Sequence, residues 1–207
     1  MTTRDVFENI YKRRVWGQAG SGSGLGSNLQ YAQGATRIVM HVMAMLGAHS
    51  LLDAPCGARE WQTPLVHKLH KRDPNFRYLG LDVSKTALLE HQDPLLPTRQ
   101  HDIASTPLPS GYDVVLTRDA LQHNTHENIV RVLHNFACSD ASHFLIGSYP
   151  SSKKNEQIAT GDYFAIDLRK PPYTLEPWRD FNEITADKKH LYLYNRTQLA
   201  RFRQGCS

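Results

Sequence analysis

Two short apolar runs that each close on an aspartate constrain this chain most: Ser50-Leu51-Leu52-Asp53, which passes into Ala54-Pro55-Cys56-Gly57, and Phe76-Arg77-Tyr78-Leu79-Gly80-Leu81-Asp82. Between them Trp61, Leu65, Val66 and Leu69 fall on one helical face, and Asp73-Pro74-Asn75 makes a turn. Two buried parallel strands joined by one helix form the nucleoside-binding half of an open α/β sheet, with the ligand at the carboxyl ends of the strands. Gly57 lets the backbone come close to a ligand there, and Asp82 is placed to accept both hydroxyls of a ribose. The pair predicts a site for an adenosine-type cofactor.

The alternation continues along the chain. Helical spacing is read over residues 84–91 and 125–138, and strands over 98–102, 112–117, 143–149 and 190–194. Ahead of the first strand lie an amphipathic helix at 4–14, a Gly/Ser-rich stretch at 17–27, and a second helix at 29–46 that Gly47 closes as a C-terminal cap. After Pro150 come a polar loop, the segment 163–168 and a proline-rich connection to Pro177. The pattern predicts a doubly wound α/β fold. At 207 residues it predicts one domain: N-terminal helices and lid at 1–47, core at 48–200, tail at 201–207.

Net charge is +4 with 21% charged residues, and the basic ones are scattered. That mild basicity is compatible with an anionic partner without being diagnostic of one, and nucleic acid is not the expected partner. Cys56, Cys138 and Cys206 are odd in number and far apart, so no disulfide framework or metal site is read from them and a reduced, cytoplasmic setting is expected. The start, Met-Thr-Thr-Arg-Asp-Val-Phe-Glu, has no apolar signal core, and no run approaches the ~20 apolar residues of a membrane span. The expectation is a soluble protein with no membrane partner; a homodimer is left open.

A nicotinamide dinucleotide calls for Gly-x-Gly-x-x-Gly in the first turn. Pro55-Cys56-Gly57-Ala58-Arg59 has a single glycine, which suits a cofactor without phosphates, S-adenosylmethionine being the common one. Asp102, after the third strand, is placed for the adenine amino group or as a turn aspartate. Gly20-Ser21-Gly22-Ser23-Gly24-Leu25-Gly26-Ser27 lacks the preceding strand and following Gly-Lys-Ser/Thr of a phosphate loop. It reads as a linker or as a lid closing over the cofactor, anchored by Trp16. Lys170-Pro171-Pro172-Tyr173 resembles the Pro-Pro-Tyr signature of amino-group methyltransferases but follows the wrong strand, so it reads as a loop. The fourth strand delivers Arg118-Asp119 and then His123 to the ligand rim. Methyl transfer to an alcohol needs a base; His123 titrates near neutrality, and Asp119 is either its orienting partner or the base. His67 and His70 sit among lysines and arginine as a solvated face, and no metal site is read from the spacing; a sugar-bound divalent ion held by Asp119 and Asp162 is left open.

Trp16-Gly17 with Ser23-Gly24-Leu25-Gly26-Ser27, Leu52-Asp53-Ala54-Pro55-Cys56-Gly57 with Trp61, Arg118-Asp119 with His123, and Ile158-Ala159-Thr160-Gly161-Asp162-Tyr163 leading to Asp167-Leu168 and Pro172-Tyr173-Thr174-Leu175 occur in that order. Over residues 7–195 the set resembles small class I S-adenosylmethionine-dependent methyltransferases. It is similar to the sugar O-methyltransferases of large algal viruses that methylate rhamnose on capsid glycans. It departs from the commoner pattern at Ala58-Arg59. The resemblance implies a Rossmann-like, mostly parallel seven-stranded sheet with helices on both faces, a carbohydrate acceptor, and S-adenosylhomocysteine as product. The expected cofactor set is Trp16, Ser23, Gly24 and Ser27 of the lid; Asp53, Pro55 and Gly57 of the first turn; then Asp82, Val83, Asp102, Ile103 and Arg118. His123 and Asp119 are the expected catalytic pair. Asp162, Tyr163 and Tyr173 are the expected acceptor contacts, with Trp178 and Glu183 beside them. The alternatives are an RNA ribose methyltransferase, using a set of Lys12, Asp119, Lys154 and Glu183, and a cofactor- or glycan-binding module without turnover.

Overall fold

In the computed structural model, which describes residues 2–17 and 22–206, the first run folds as β1 (Ser50–Asp53) and the second as β2 (Arg77–Asp82). They pair in parallel, Leu52 opposite Leu79, across helix α3 (Gln62–Arg72), whose Leu65, Val66 and Leu69 are buried. β3 (Thr98–Gln100) adds outside β2, while β4 (Val114–Thr117) pairs with the other edge of β1 and carries β5 (His143–Ser148) beyond it, all parallel. β7 (His190–Asn195) runs antiparallel between β5 and β6 (Arg179–Asn182), giving the order β3-β2-β1-β4-β5-β7-β6. The strand order reverses between β1 and β4, and a crevice opens beside their carboxyl ends.

Adjacent residues of each strand serve opposite faces. Leu51, Val114, Leu116, Leu145 and Leu193 pack under α3 and α2 (Gln33–Leu46). Leu52, Val115, Phe144, Ile146 and Tyr192 pack under α5 (His126–Cys138). Thr125 caps α5, its side chain accepting from the Asn128 N–H. The second face is completed by irregular chain carrying Ile166, Leu168, Tyr173 and Leu175, which the sequence reads only as a segment and a proline-rich connection. Leu175 N–H donates to the Leu168 carbonyl and the Asn155 amide reaches the Asp167 carbonyl, so this buried backbone is satisfied without a helix.

One short helix, the first of the chain, borders the crevice. α1 (Thr3–Arg13) is held down by Glu8, whose carboxylate accepts from Ser84 Oγ (2.8 Å) and Thr86 Oγ1 (2.7 Å) at the start of α4 (Lys85–Leu89). Burial pushes the Glu8 carboxyl upward, but those donors outweigh it and hold it at about 2. α2 begins at Gln33, later than its apolar spacing suggests, because Asn28 Oδ1 accepts from the Gln30 N–H in a local turn and leaves Leu29 half exposed. Gly47 caps it in the left-handed region (φ 59°) as expected. β6 is missing from the sequence reading: Arg-Asp-Phe-Asn is mostly exposed and has no apolar run to announce it.

The cysteine expectation is corrected. The tail turns at Ala200–Phe202 and runs back along α5, where Cys206 is bonded to Cys138. The two are 68 residues apart, a separation that hides the pairing from local inspection. Among the described residues no helix is long and apolar enough to cross a membrane.

Candidate active site

The crevice widens into a cavity of about 860 Å³, open mouth included, roofed by Thr3, Phe7 and Tyr11 of α1. Its floor is the turn after β1. Gly57 takes φ 56°, and a Cβ there would lie 3.0 Å from Ser23 Oγ and 3.1 Å from the Tyr11 hydroxyl, so glycine serves both the turn and the close approach. The Gly57 N–H donates to Asp82 Oδ2 (3.0 Å) and the Ser84 N–H to Oδ1 (2.8 Å). Each carboxylate oxygen keeps a lone pair for a ligand. Burial lifts the Asp82 carboxyl to about 6 in spite of these donors.

Asp53 does not line the cavity. It is 1% exposed, and its Oδ2 accepts from Gln62 Nε2 and from the Tyr78 hydroxyl, both at 2.9 Å. Gln62 Nε2 also donates to the Cys56 carbonyl (2.8 Å). Two acceptors on one side fix the amide orientation, and Gln62 Oε1 is left buried and unpartnered in a residue that lines the cavity. Asp53 thus acts through Gln62, a residue the sequence reading missed. A free acceptor beside the glycine turn suits an ammonium donor.

Burial raises the Asp53 carboxyl to about 7 against its two hydrogen bonds. The folded state therefore holds this proton more tightly than the unfolded chain, and the associated stability is full below about pH 4 and is lost as pH rises toward 7. Asp53→Asn removes that dependence while keeping an acceptor for Gln62 and Tyr78. In thermal denaturation from pH 4 to 7 the variant should gain on the parent by up to about 1.4 kcal/mol per pH unit. Parallel curves across that range would show that Asp53 is ionised throughout.

Of the other expected cofactor residues, Pro55, Val83, Asp102, Ile103 and Arg118 line the cavity. Asp102 is also a turn aspartate, its Oδ1 accepting from the Ala104 N–H (2.9 Å), so both readings of it describe one residue. From the lid, Trp16, Ser23 and Ser27 reach the wall, whereas Gly24 sits against Trp16 off the wall. Ser23 Oγ accepts from the Ala58 N–H and shares a hydrogen bond with Tyr11, each 3.0 Å, stitching the lid to the turn. Gly20 and Ser21 lie outside the described residues.

Asp119 and His123 both line the cavity, but no hydrogen bond joins them. Asp119 (φ 52°) accepts from Lys189 Nζ (2.7 Å) and the Tyr149 hydroxyl (3.1 Å), and stands 3.1 Å from Arg118. Burial pushes its carboxyl up, but Arg118 and Lys189 outweigh this and hold it below the usual range, which makes it a weak base. Arg118 donates from Nε and Nη2 to the buried Glu183 and from Nη1 to the Gly26 carbonyl (2.7 Å). A Cβ on Gly26 would stand 2.2 Å from Asp119 Oδ2, so the lid closes on this ion cluster only as glycine. Glu183, expected near the acceptor, is consumed here, and Lys189 and Tyr149 join the site unforeseen.

His123 turns instead to the Asp162 carbonyl, 2.8 Å from Nδ1. A carbonyl only accepts, so Nδ1 carries the proton and Nε2 keeps its lone pair. The ring lies 4.5 Å from Trp16 and 5.7 Å from Tyr163, and burial lowers its pKa below the ordinary 6.5. Asp162 meets His123 through its backbone carbonyl and Tyr163 through its ring, outside the cavity wall itself. Tyr173 does not: it is fully buried, its hydroxyl 2.5 Å from His126 Nδ1. Trp178 packs on His143 at the amino end of β5, away from the crevice. Lys12 and Lys154 pair locally with Glu8 and Glu156 and do not join Asp119 and Glu183. Arg59 points from the turn to the Leu88 and Glu90 carbonyls that end α4.

No family model matches the chain, and no curated protein does. Solved structures do. Magnesium protoporphyrin IX methyltransferase (ChlM) from Synechocystis PCC 6803 with bound SAM superposes with a TM-score of 0.58 at 16% identity, covering 93% of this chain and 96% of that one. The N,N-8-amino-8-demethyl-D-riboflavin dimethyltransferase (RosA) from Streptomyces davawensis gives 0.56 at 13% identity over 79% and 54% of the two chains. PigF with SAH gives 0.62 at 13% identity over 92% and 62%. At these identities the likeness is one of architecture: the chain has the seven-stranded, Rossmann-like fold of class I methyltransferases.

Proposed function

We propose that this protein is an S-adenosylmethionine-dependent O-methyltransferase acting on a sugar hydroxyl of a glycan, with rhamnose the first candidate on the sequence resemblance. The observation that carries the reading is His123 at the cavity wall, its Nδ1 proton tied to the Asp162 carbonyl and its Nε2 free to accept. The cavity's donors and acceptors fit the cofactor: Asp82 for the ribose hydroxyls, Gln62 Oε1 for the methionine ammonium, and Asp102 for the adenine amino group. Bound there, S-adenosylmethionine supplies a methyl group activated on a sulfonium. His123 Nε2 would take the proton of the acceptor hydroxyl as that oxygen is methylated. Asp119 is the charged anchor that seats Lys189 and Arg118 under the lid.

The names of the structural neighbours speak for the methyl donor. Their acceptors, magnesium protoporphyrin IX and an aminoriboflavin, are not sugars. The acceptor reading rests on the resemblance and on the exposed Tyr163 ring beside His123, a flat apolar face next to a polar loop. A mass assay with S-adenosylmethionine on free sugars, glycans and RNA tests it. A gain of one CH2 on a sugar or glycan is expected; methylation of RNA alone would replace the acceptor, and no product on any class would favour a binding module.

A further inference from the structure

At the far end of α5, away from the glycine turn, three soft donors converge. His134 and Cys138 are one helical turn apart on α5, and Cys206 reaches them from the tail. The ring nitrogen, and the two sulfurs, all lie within 4.8 Å of one another. We propose that, with the Cys138–Cys206 bond reduced, these three residues form a binding site for Zn²⁺ or a like thiophilic divalent ion that fastens the tail to the helix.

The imidazole is already set for it. His134 Nδ1 is 2.7 Å from the Phe202 carbonyl, which only accepts, so Nδ1 carries the proton. Nε2 keeps its lone pair and stands 3.5 Å from Cys138 Sγ. A ring whose other N–H is tied to a backbone carbonyl is the usual second layer behind a metal-bound histidine. Two thiolates and one imidazole are a donor set that zinc favours, leaving its fourth position for water. All three residues are partly exposed, so an ion can enter. An external dithiol supplies two electrons and two protons, becoming a disulfide as the Cys138–Cys206 bond becomes two thiols. Zn²⁺ then displaces both thiol protons to solvent. The two states exclude each other, since each sulfur is either bonded to its partner or free for the ion.

The test uses the full chain, reduced and freed of reductant under nitrogen, with ZnCl2 or CoCl2 as the probe. The reduced protein should hold one Zn²⁺ per chain through gel filtration and show a thiolate-to-cobalt charge-transfer band with Co²⁺. The oxidised protein should do neither. Cys206→Ser and His134→Ala should each weaken zinc at least tenfold, Cys206→Ser with a weaker band from the one remaining thiolate. The proposal is overturned if reduced protein retains no more zinc than a Cys138→Ser/Cys206→Ser variant, if oxidised protein binds equally, or if His134→Ala leaves affinity unchanged. Because Cys206 lies in the tail, its serine variant does not put the core at risk.

Discussion

His123→Gln should lower single-turnover methyl transfer by about 10²–10⁴-fold, the usual contribution of a positioned general base, while S-adenosylmethionine binds within a few-fold of the parent. Glutamine fills much of the ring's place beside Trp16, so the loss reports the missing base more than a hole in the wall. The pH profile gives a second reading that packing alone would not change. A base acts unprotonated, so the rate falls as pH drops through the His123 pKa, which burial sets below the ordinary 6.5. The parent should therefore be on its plateau at neutrality with an acid limb below it, and the variant should lose that limb. With S-adenosylmethionine saturating at every pH, so that protonation of Asp82 does not enter the rate, unchanged turnover in the variant, or an acid limb that survives the substitution, would remove His123 from the chemistry.

The same contrast separates what the sequence makes legible from what it hides. Asp82 and Gly57 are readable because their tasks are local: one ends a buried strand, the other makes a left-handed turn, and the 3.0 Å bond between them follows from strand pairing. His123 is readable as a titratable group following the fourth strand, but its partner is not. A backbone carbonyl leaves no mark in the residue pattern, so Asp119, four positions earlier, looks like the orienting group until Lys189 is seen on it. Lys189 lies just before the antiparallel β7, and the β6 strand that pairs with β7 is announced by no apolar run. Gln62 is hidden for a related reason, since its amide becomes a one-sided acceptor only when Asp53 and the Cys56 carbonyl occupy the other end. Tyr173 misleads in the opposite direction. An aromatic in a proline-rich stretch reads as an exposed platform, but here the stretch replaces a helix over the sheet and takes the tyrosine into the core.

Asp82→Ala should weaken S-adenosylmethionine by roughly 10²–10⁴-fold, the loss of two hydrogen bonds to a charged acceptor. Asp82→Asn should also lose affinity, for a geometric reason. Its two oxygens face two backbone N–H donors, Gly57 and Ser84, and an amide NH2 in place of either oxygen sets donor against donor. Cofactor affinity in the parent should also fall below about pH 6, where the carboxyl takes up a proton, and this acid weakening should vanish in both variants. Stability moves differently. The alanine variant leaves the Gly57 and Ser84 N–H groups without their acceptor but also removes a carboxylate that burial disfavours, so its thermal midpoint without cofactor should change far less than its affinity. Calorimetric titration at pH 7.5 beside a melting curve separates the two. An Asp82→Ala protein that melts near the parent and binds within about threefold of it would show that the aspartate serves the turn alone, and the adenosine site would have to be sought elsewhere in the cavity.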